Sequence, residues 1–313
     1  MAFAYRLEES FNKANRRIAL EQIERARQQL SANEDTREAV HESRKCFKRV
    51  RALLRLLRHT LTKSEFKATN ASFRDLGRML AETRDLDVMS STLDRLIENH
   101  PLMADEPIHR IRSLFSEVRA SIATARPPIR KALKDLAKAK SLVDKLAVRD
   151  CKLSMLGKGL EADFSSCVQH YRIAVEERSD DAYHEWRKYV QFHRRHLSLL
   201  AAAWPDAMAV RIAHCRKLSE YLGHDHDLSV LANFVAKKQS RIGDETTVLT
   251  ILNSCQHDQA KLKEKATAMG ALLAAEGATA LRRRVEAYWK VRSGNKRAKV
   301  APDHKRAQAS VVS

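Results

Sequence analysis

An all-α fold is predicted by three features of the chain. Apolar residues recur at helical spacings, only 8 Gly and 6 Pro interrupt 313 residues, and long stretches carry no turn signal at all. Strand-and-turn proteins need far more such punctuation. The first 150 residues hold a single glycine, Gly77. With 44% hydrophobic residues the chain can bury a large core, and its length suits two domains or one duplicated unit.

Phe3, Leu7, Phe11, Ala14, Ile18, Ile23, Ala26 and Leu30 form one apolar stripe, so a first amphipathic helix is expected from the start of the chain. Residues 31–36, Ser-Ala-Asn-Glu-Asp-Thr, read as a break and a new N-cap. Helices are then expected over about 36–61, 63–80 and 85–99, the last ended by His100-Pro101. Pro107 opens another that ends near Pro127-Pro128. Residues 126–149 carry eight Lys/Arg and two Asp, yet Leu133, Leu136, Leu142, Val143 and Leu146 still suit a helix. They read as a basic bridge (126–150) between a first helical repeat, 5–125, and a second, 151–292. Past Ser293 the pattern fails. The tail, 293–313, holds Lys296, Arg297, Lys299, Lys305 and Arg306, and is expected to be disordered.

The two halves repeat one another. His41-Glu42-Ser43-Arg44-Lys45 matches His184-Glu185-Trp186-Arg187-Lys188, 143 residues later. Leu80 to Val88, which includes Arg84-Asp85-Leu86-Asp87, matches Leu222 to Val230 at an offset of 142, and Arg74 falls opposite Arg216. At about 100° per residue, His41, Arg44, Lys45, Lys48, Arg51 and Arg55 share one sector of a helix, opposite Val50, Leu53, Leu54 and Leu57. His184, Arg187, Lys188, Arg194 and Arg195 repeat that geometry. Lys48 and Arg55 become Gln191 and Ser198, so the second stripe is the less basic.

Such stripes weaken an isolated helix through like-charge repulsion, which a bound anion would offset. Arg offers forked donors to phosphate oxygens, Lys a mobile point charge, and His a donor whose charge grows as pH falls toward about 6.5. Overall, 58 Lys+Arg against 39 Asp+Glu leave a formal charge of +19, which argues for an anionic partner. A solvated basic face with no ligand is the plainer alternative for one such helix; two in matching register favour a shared groove. Five Cys, an odd number without a Cys-x-x-Cys, read as small apolar residues of a reducing compartment. No run approaches the roughly 20 apolar residues of a membrane span, so a cytoplasmic protein is expected.

These residues resemble the CHAD domain, the conserved-histidine α-helical domain. The resemblance rests on His41-x-x-Arg44-Lys45-x-x-Lys48-Arg49-x-Arg51, on Arg84-Asp85-Leu86-Asp87-Val88, on their second-half partners, and on Arg283-Arg284-Val285-Glu286-Ala287-Tyr288-Trp289. It covers about residues 5–292. It implies two pseudo-symmetric antiparallel four-helix bundles around a central basic groove. It also implies non-catalytic binding of inorganic polyphosphate, with association with polyphosphate granules. The expected contacts are His41, Arg44, Lys45, Lys48, Arg51, Arg55, Arg74, Arg84, His184, Arg187, Lys188, Arg194, Arg195 and Arg216, supported by Asp85, Asp227 and His226. Phe192 stands where Arg49 does, and His193 falls on the apolar face as a core histidine.

His224-Asp225-His226-Asp227 could suggest a metal-dependent phosphohydrolase. The repeat argues otherwise, because Arg84 replaces the second His, and a cationic partner of an anion can be Arg whereas a metal ligand cannot. No Gly-x4-Gly-Lys-Ser/Thr loop and no Glu-x-Glu-x-Lys run occur. The expectation is therefore no catalytic residue, no metal and no cofactor. Nucleic acid is the alternative partner on charge alone, but the stripes lack the aromatic interleaving that base stacking wants.

Overall fold

The computed structural model describes residues 3–32, 36–80, 85–101, 105–123, 128–146 and 150–300, and these contain helices and no strand. The first half supplies α1 (Phe11–Ala32), α2 (Thr36–Leu56), α3 (Lys63–Met79), α4 (Asp85–Asn99), α5 (Asp105–Ala123) and α6 (Ile129–Lys145). The second supplies α7 (Leu153–Glu177), α8 (Asp180–Leu199), a 3-10 turn (Ala201–Ala203), α9 (Pro205–Lys237), the short α10 (Gln239–Ile242), α11 (Glu245–Ala274) and α12 (Ala278–Val300).

Three boundaries differ from those read in the sequence, each for a local reason. The Phe3 stripe does not start a helix. Tyr5 donates its backbone N–H to the Leu199 carbonyl at 2.9 Å and its hydroxyl to Asn15 Oδ1 at 2.6 Å. That ties residues 3–9 down as a strap, and the Ser10 carbonyl accepts the first α1 bond, from Ala14. Helix α2 ends at Leu56 rather than Leu61, because Thr60 turns back onto the Leu57 carbonyl and Thr62 with Glu65 forms a capping box that starts α3. Helix α12 passes Ser293, the expected start of the tail, and reaches Val300. The Lys, Arg and Ala in that stretch are strong helix formers and need no buried stripe to continue one. Residues 301–313 of the expected tail lie outside the described residues.

The helices build two apolar cores that do not follow the repeat boundary. Helices α1, α2, α3 and α6 pack in a ring. Helices α7, α8, α9 and α12 form the second group, which α12 joins through α7 and the 3-10 turn. Both groups share one core, with Trp186, Phe47, Phe73 and Phe164 at its centre. A smaller core holds α4 and α5 against the later half of α9 and the early half of α11: Leu93, Ile111 and Phe115 meet Leu231, Val235 and Ile251. Where the first repeat uses two helices, α3 and α4, the second uses the continuous 33-residue α9.

The seam between the halves is tight. Where α7 crosses α2, a Cβ on Gly159 would lie 2.0 Å from the Leu56 carbonyl oxygen. Backbone cannot yield as a side-chain tip can. Gly159→Ala is expected to lower stability by about 2–3 kcal/mol, read as a reduced urea midpoint with an unchanged slope. All five cysteines are buried and free, which fits their reading as small core residues.

Candidate functional site

The two stripes meet where α2 crosses α8. Buried His196 anchors the crossing by donating from Nε2 to the Ala52 carbonyl at 2.8 Å. Beside it, Arg55 donates from Nε and Nη2 to the two oxygens of Asp163 on α7, at 2.8 and 2.7 Å. Its guanidinium also lies 4.4 Å from the Phe192 ring centre and 5.2 Å from that of Tyr189. Asp163 is fully buried. Arg55 thus serves as a clamp between the halves, with its fork already occupied.

One turn earlier the arginines lose their carboxylates. Arg51 donates to Asn70 Oδ1 at 3.1 Å and lies over Phe192, and Arg49 donates to Gln22 Oε1 at 3.2 Å. Arg195 donates to the Gln191 carbonyl of its own helix. Among the described residues, none of Arg49, Arg51, Arg194 and Arg195 has a carboxylate within ion-pair distance. Burial, followed by the like charges of Arg194, Arg49 and Arg51, pushes Arg195 down to about 9. Burial and then Arg55, Arg74 and Arg78 lower Arg51; burial and then Arg216 lower Arg194. Four guanidinium groups, each half-buried, therefore lie close enough to repel one another.

The other expected residues surround this cluster unevenly. Arg74 and Arg216 are exposed, and Arg74 pairs with Asp75 at 2.9 Å. Lys48 is exposed. Lys45 pairs with Glu42, and Lys188 with Glu185, at the same place in each repeat. The glutamate after each histidine thus neutralises the lysine three residues on. His41 is half-buried, and Arg44 reaches the Leu80 carbonyl at 3.5 Å. Arg187 runs against α9 where Gly223 has no side chain, its Nη2 only 3.4 Å from where a Cβ would sit. His184 packs on His226 with ring centres 4.1 Å apart. Arg84 and the side chain of Asp85 lie outside the described residues. Arg49 and Arg78 escaped the sequence reading of the site. Arg49 falls to the side of the ideal stripe, although it stands in the His41 to Arg51 run, and Arg78 sits one turn beyond Arg74.

The histidines do not carry the charge their type suggests. Burial, then Lys188 and Arg187, lowers His184; burial, then His184 and Arg187, pushes His226 down to about 4. Both rings are neutral at neutral pH. The four residues from His224 to Asp227 also diverge. His226 faces His184, while buried Asp225 accepts from Gln259 Nε2 on α11 at 3.3 Å. Among the described residues no three His, Cys, Asp or Glu converge on a point that could hold a metal. His193 is buried, stacked on Phe164 at 4.4 Å.

These shifts set a pH dependence. His184, His193, His196, His224 and His226 all sit below their ordinary value through burial. The unfolded chain therefore binds more protons below about pH 6.5, and stability falls on acidification. Asp225, which burial raises to about 6, acts the other way, because the folded state gains its proton first. The thermal midpoint is expected to drop from pH 7 to pH 5, and to drop more steeply in Asp225→Asn.

A family model, the CHAD domain, matches residues 17–236. The chain belongs to the CHAD-domain family. Two solved structures share its fold. The crystal structure of the CHAD domain from the plant Ricinus communis superposes with a TM-score of 0.61 and 17% identity, covering 89% of this chain and 96% of that one. PptA from Streptomyces chartreusis superposes with a TM-score of 0.63 and 14% identity, covering 84% of this chain and 98% of that one. No curated protein matches. Among the described residues of this CHAD protein, no helix is long and apolar enough to cross a membrane.

Proposed function

We propose that this CHAD protein binds inorganic polyphosphate, without turning it over, along the arginine groove between α2 and α8. The observation that carries the reading is the half-buried set of Arg49, Arg51, Arg194 and Arg195, held together with no carboxylate partner among the described residues. Such a set is unfavourable by itself and gains from an anion that supplies many oxygens at once. A phosphate polymer does so along an extended path, with Lys48, Arg74 and Arg216 as outer contacts. Arg55, Asp163, Asp227 and the His184–His226 pair position the walls. In this reading the protein is cytoplasmic and gathers at polyphosphate granules.

Nucleic acid is the weaker reading. The aromatic rings beside the groove already face guanidinium groups, Phe192 and Tyr189 that of Arg55 and Phe3 that of Arg49 at 5.8 Å, which disfavours base stacking on them. Calorimetry at physiological salt should show long-chain polyphosphate binding far more tightly than orthophosphate. It should also resist competition by RNA at equal phosphate concentration. Equal affinity for orthophosphate, or displacement by RNA, would sink the proposal.

A further inference from the structure

We propose that a second anion pocket, separate from the arginine groove, lies between α4, α9 and α11 and takes a single orthophosphate or pyrophosphate. The space is about 150 Å³ and is lined by Arg95, His224, Lys261 and Lys265, with Thr92 and Asn99 beside them and leucines as its floor. One helix comes from the first repeat and two from the second, and no groove residue lines it.

The charge balance favours an anion. Arg95 is oriented by its own helix, with Nε donating to the Ser91 carbonyl at 3.3 Å and Nη2 to Thr92 Oγ1 at 3.2 Å. Among the described residues, none of Arg95, Lys261 and Lys265 is paired with a carboxylate. The carboxylate in the lining, Asp258, is committed elsewhere: it accepts from Asn99 Nδ2 at 2.8 Å and faces His100 Nε2 at 3.2 Å. Arg95, held on its helix, and the two exposed lysines Lys261 and Lys265 outweigh the one lining carboxylate, Asp258, and leave a net positive field in the concave space.

Size selects the ligand. A space of about 150 Å³ admits a molecule of about benzene's bulk, which matches one or two phosphate groups. His224 completes the site. Burial and then Arg95 from α4 lower its proton affinity, Lys217 on α9 and Arg187 on α8 act the same way, and Glu220 on α9 opposes them. Lys261 and Lys265 face it from α11 across the pocket. A bound phosphate would cancel these cations, and the ring would take up a proton and become a further donor.

The test follows the His224 ring signal by ¹H–¹³C NMR during separate titrations with orthophosphate and pyrophosphate at constant ionic strength. A saturable shift is expected with at least one of the two, and the titration that saturates names the occupant. Arg95→Gln with Lys261→Gln should weaken it at least tenfold, as should Lys261→Gln with Lys265→Gln, whose exposed positions spare the fold. Arg51→Glu with Arg194→Glu, in the groove, should leave it unchanged. The pocket is refuted by the absence of saturation with both anions, by an equal response to chloride, by persistence in both pocket pairs, or by loss in the groove pair.

Discussion

Reversing Arg51 and Arg194 together to glutamate is expected to weaken long-chain polyphosphate binding by about a thousandfold or more. Removing one desolvated charge from an ionic contact costs about 2–5 kcal/mol, and every 1.4 kcal/mol is tenfold in affinity. Two such positions therefore exceed about 4 kcal/mol before any added repulsion. Lys48→Glu, on an exposed side chain, should cost less than about tenfold, in line with the ~1 kcal/mol of surface pairs. The same double variant should hold or raise the thermal midpoint, because glutamates among the remaining arginines relieve the repulsion that depresses Arg195. Calorimetry paired with a melting curve reads both effects. Equal losses at Lys48 and Arg51 would mean that net charge alone draws the ligand.

Asp163→Ala is expected to destabilise the protein by about 3–5 kcal/mol, the cost of leaving a buried partner charge uncompensated. Arg55 would keep its place over Phe192 and Tyr189 with its fork unanswered, and Arg58, 3.9 Å from the same carboxylate, would lose its neighbour. The double variant Arg55→Met with Asp163→Leu should recover most of the loss, since apolar pairs of similar volume replace buried ion pairs at little cost. Urea unfolding of the two variants gives the comparison. A small loss in Asp163→Ala would show that water reaches Arg55.

Much of this was legible in the sequence. The repeated His-x-x-Arg-Lys helices, the periodic stripes and the scarcity of glycine pointed to the helical fold and to the two faces that meet. Periodicity also placed His193 in the core. It could not reveal that Arg55 answers Asp163, because the two lie 108 residues apart, and a stripe angle records direction without partners. It could not separate Lys45 from Arg51 either: one is neutralised by Glu42 on its own helix, and the other meets the neutral Asn70 and Phe192. Helical angles alone also set Arg49 aside, since they ignore how far an arginine side chain sweeps from its Cα.

Helix α9 carries core residues of both apolar units, Leu218 and Leu222 in the larger and Leu231 and Val235 in the smaller, and α11 does the same with Ala266 and Ile251. Its 33 residues make a rod about 50 Å long at 1.5 Å per residue. Packed side by side, α9 and α11 tie the two apolar units together. In the proposed function the polymer then meets arginines whose positions on α2 and α8 are set when the chain folds.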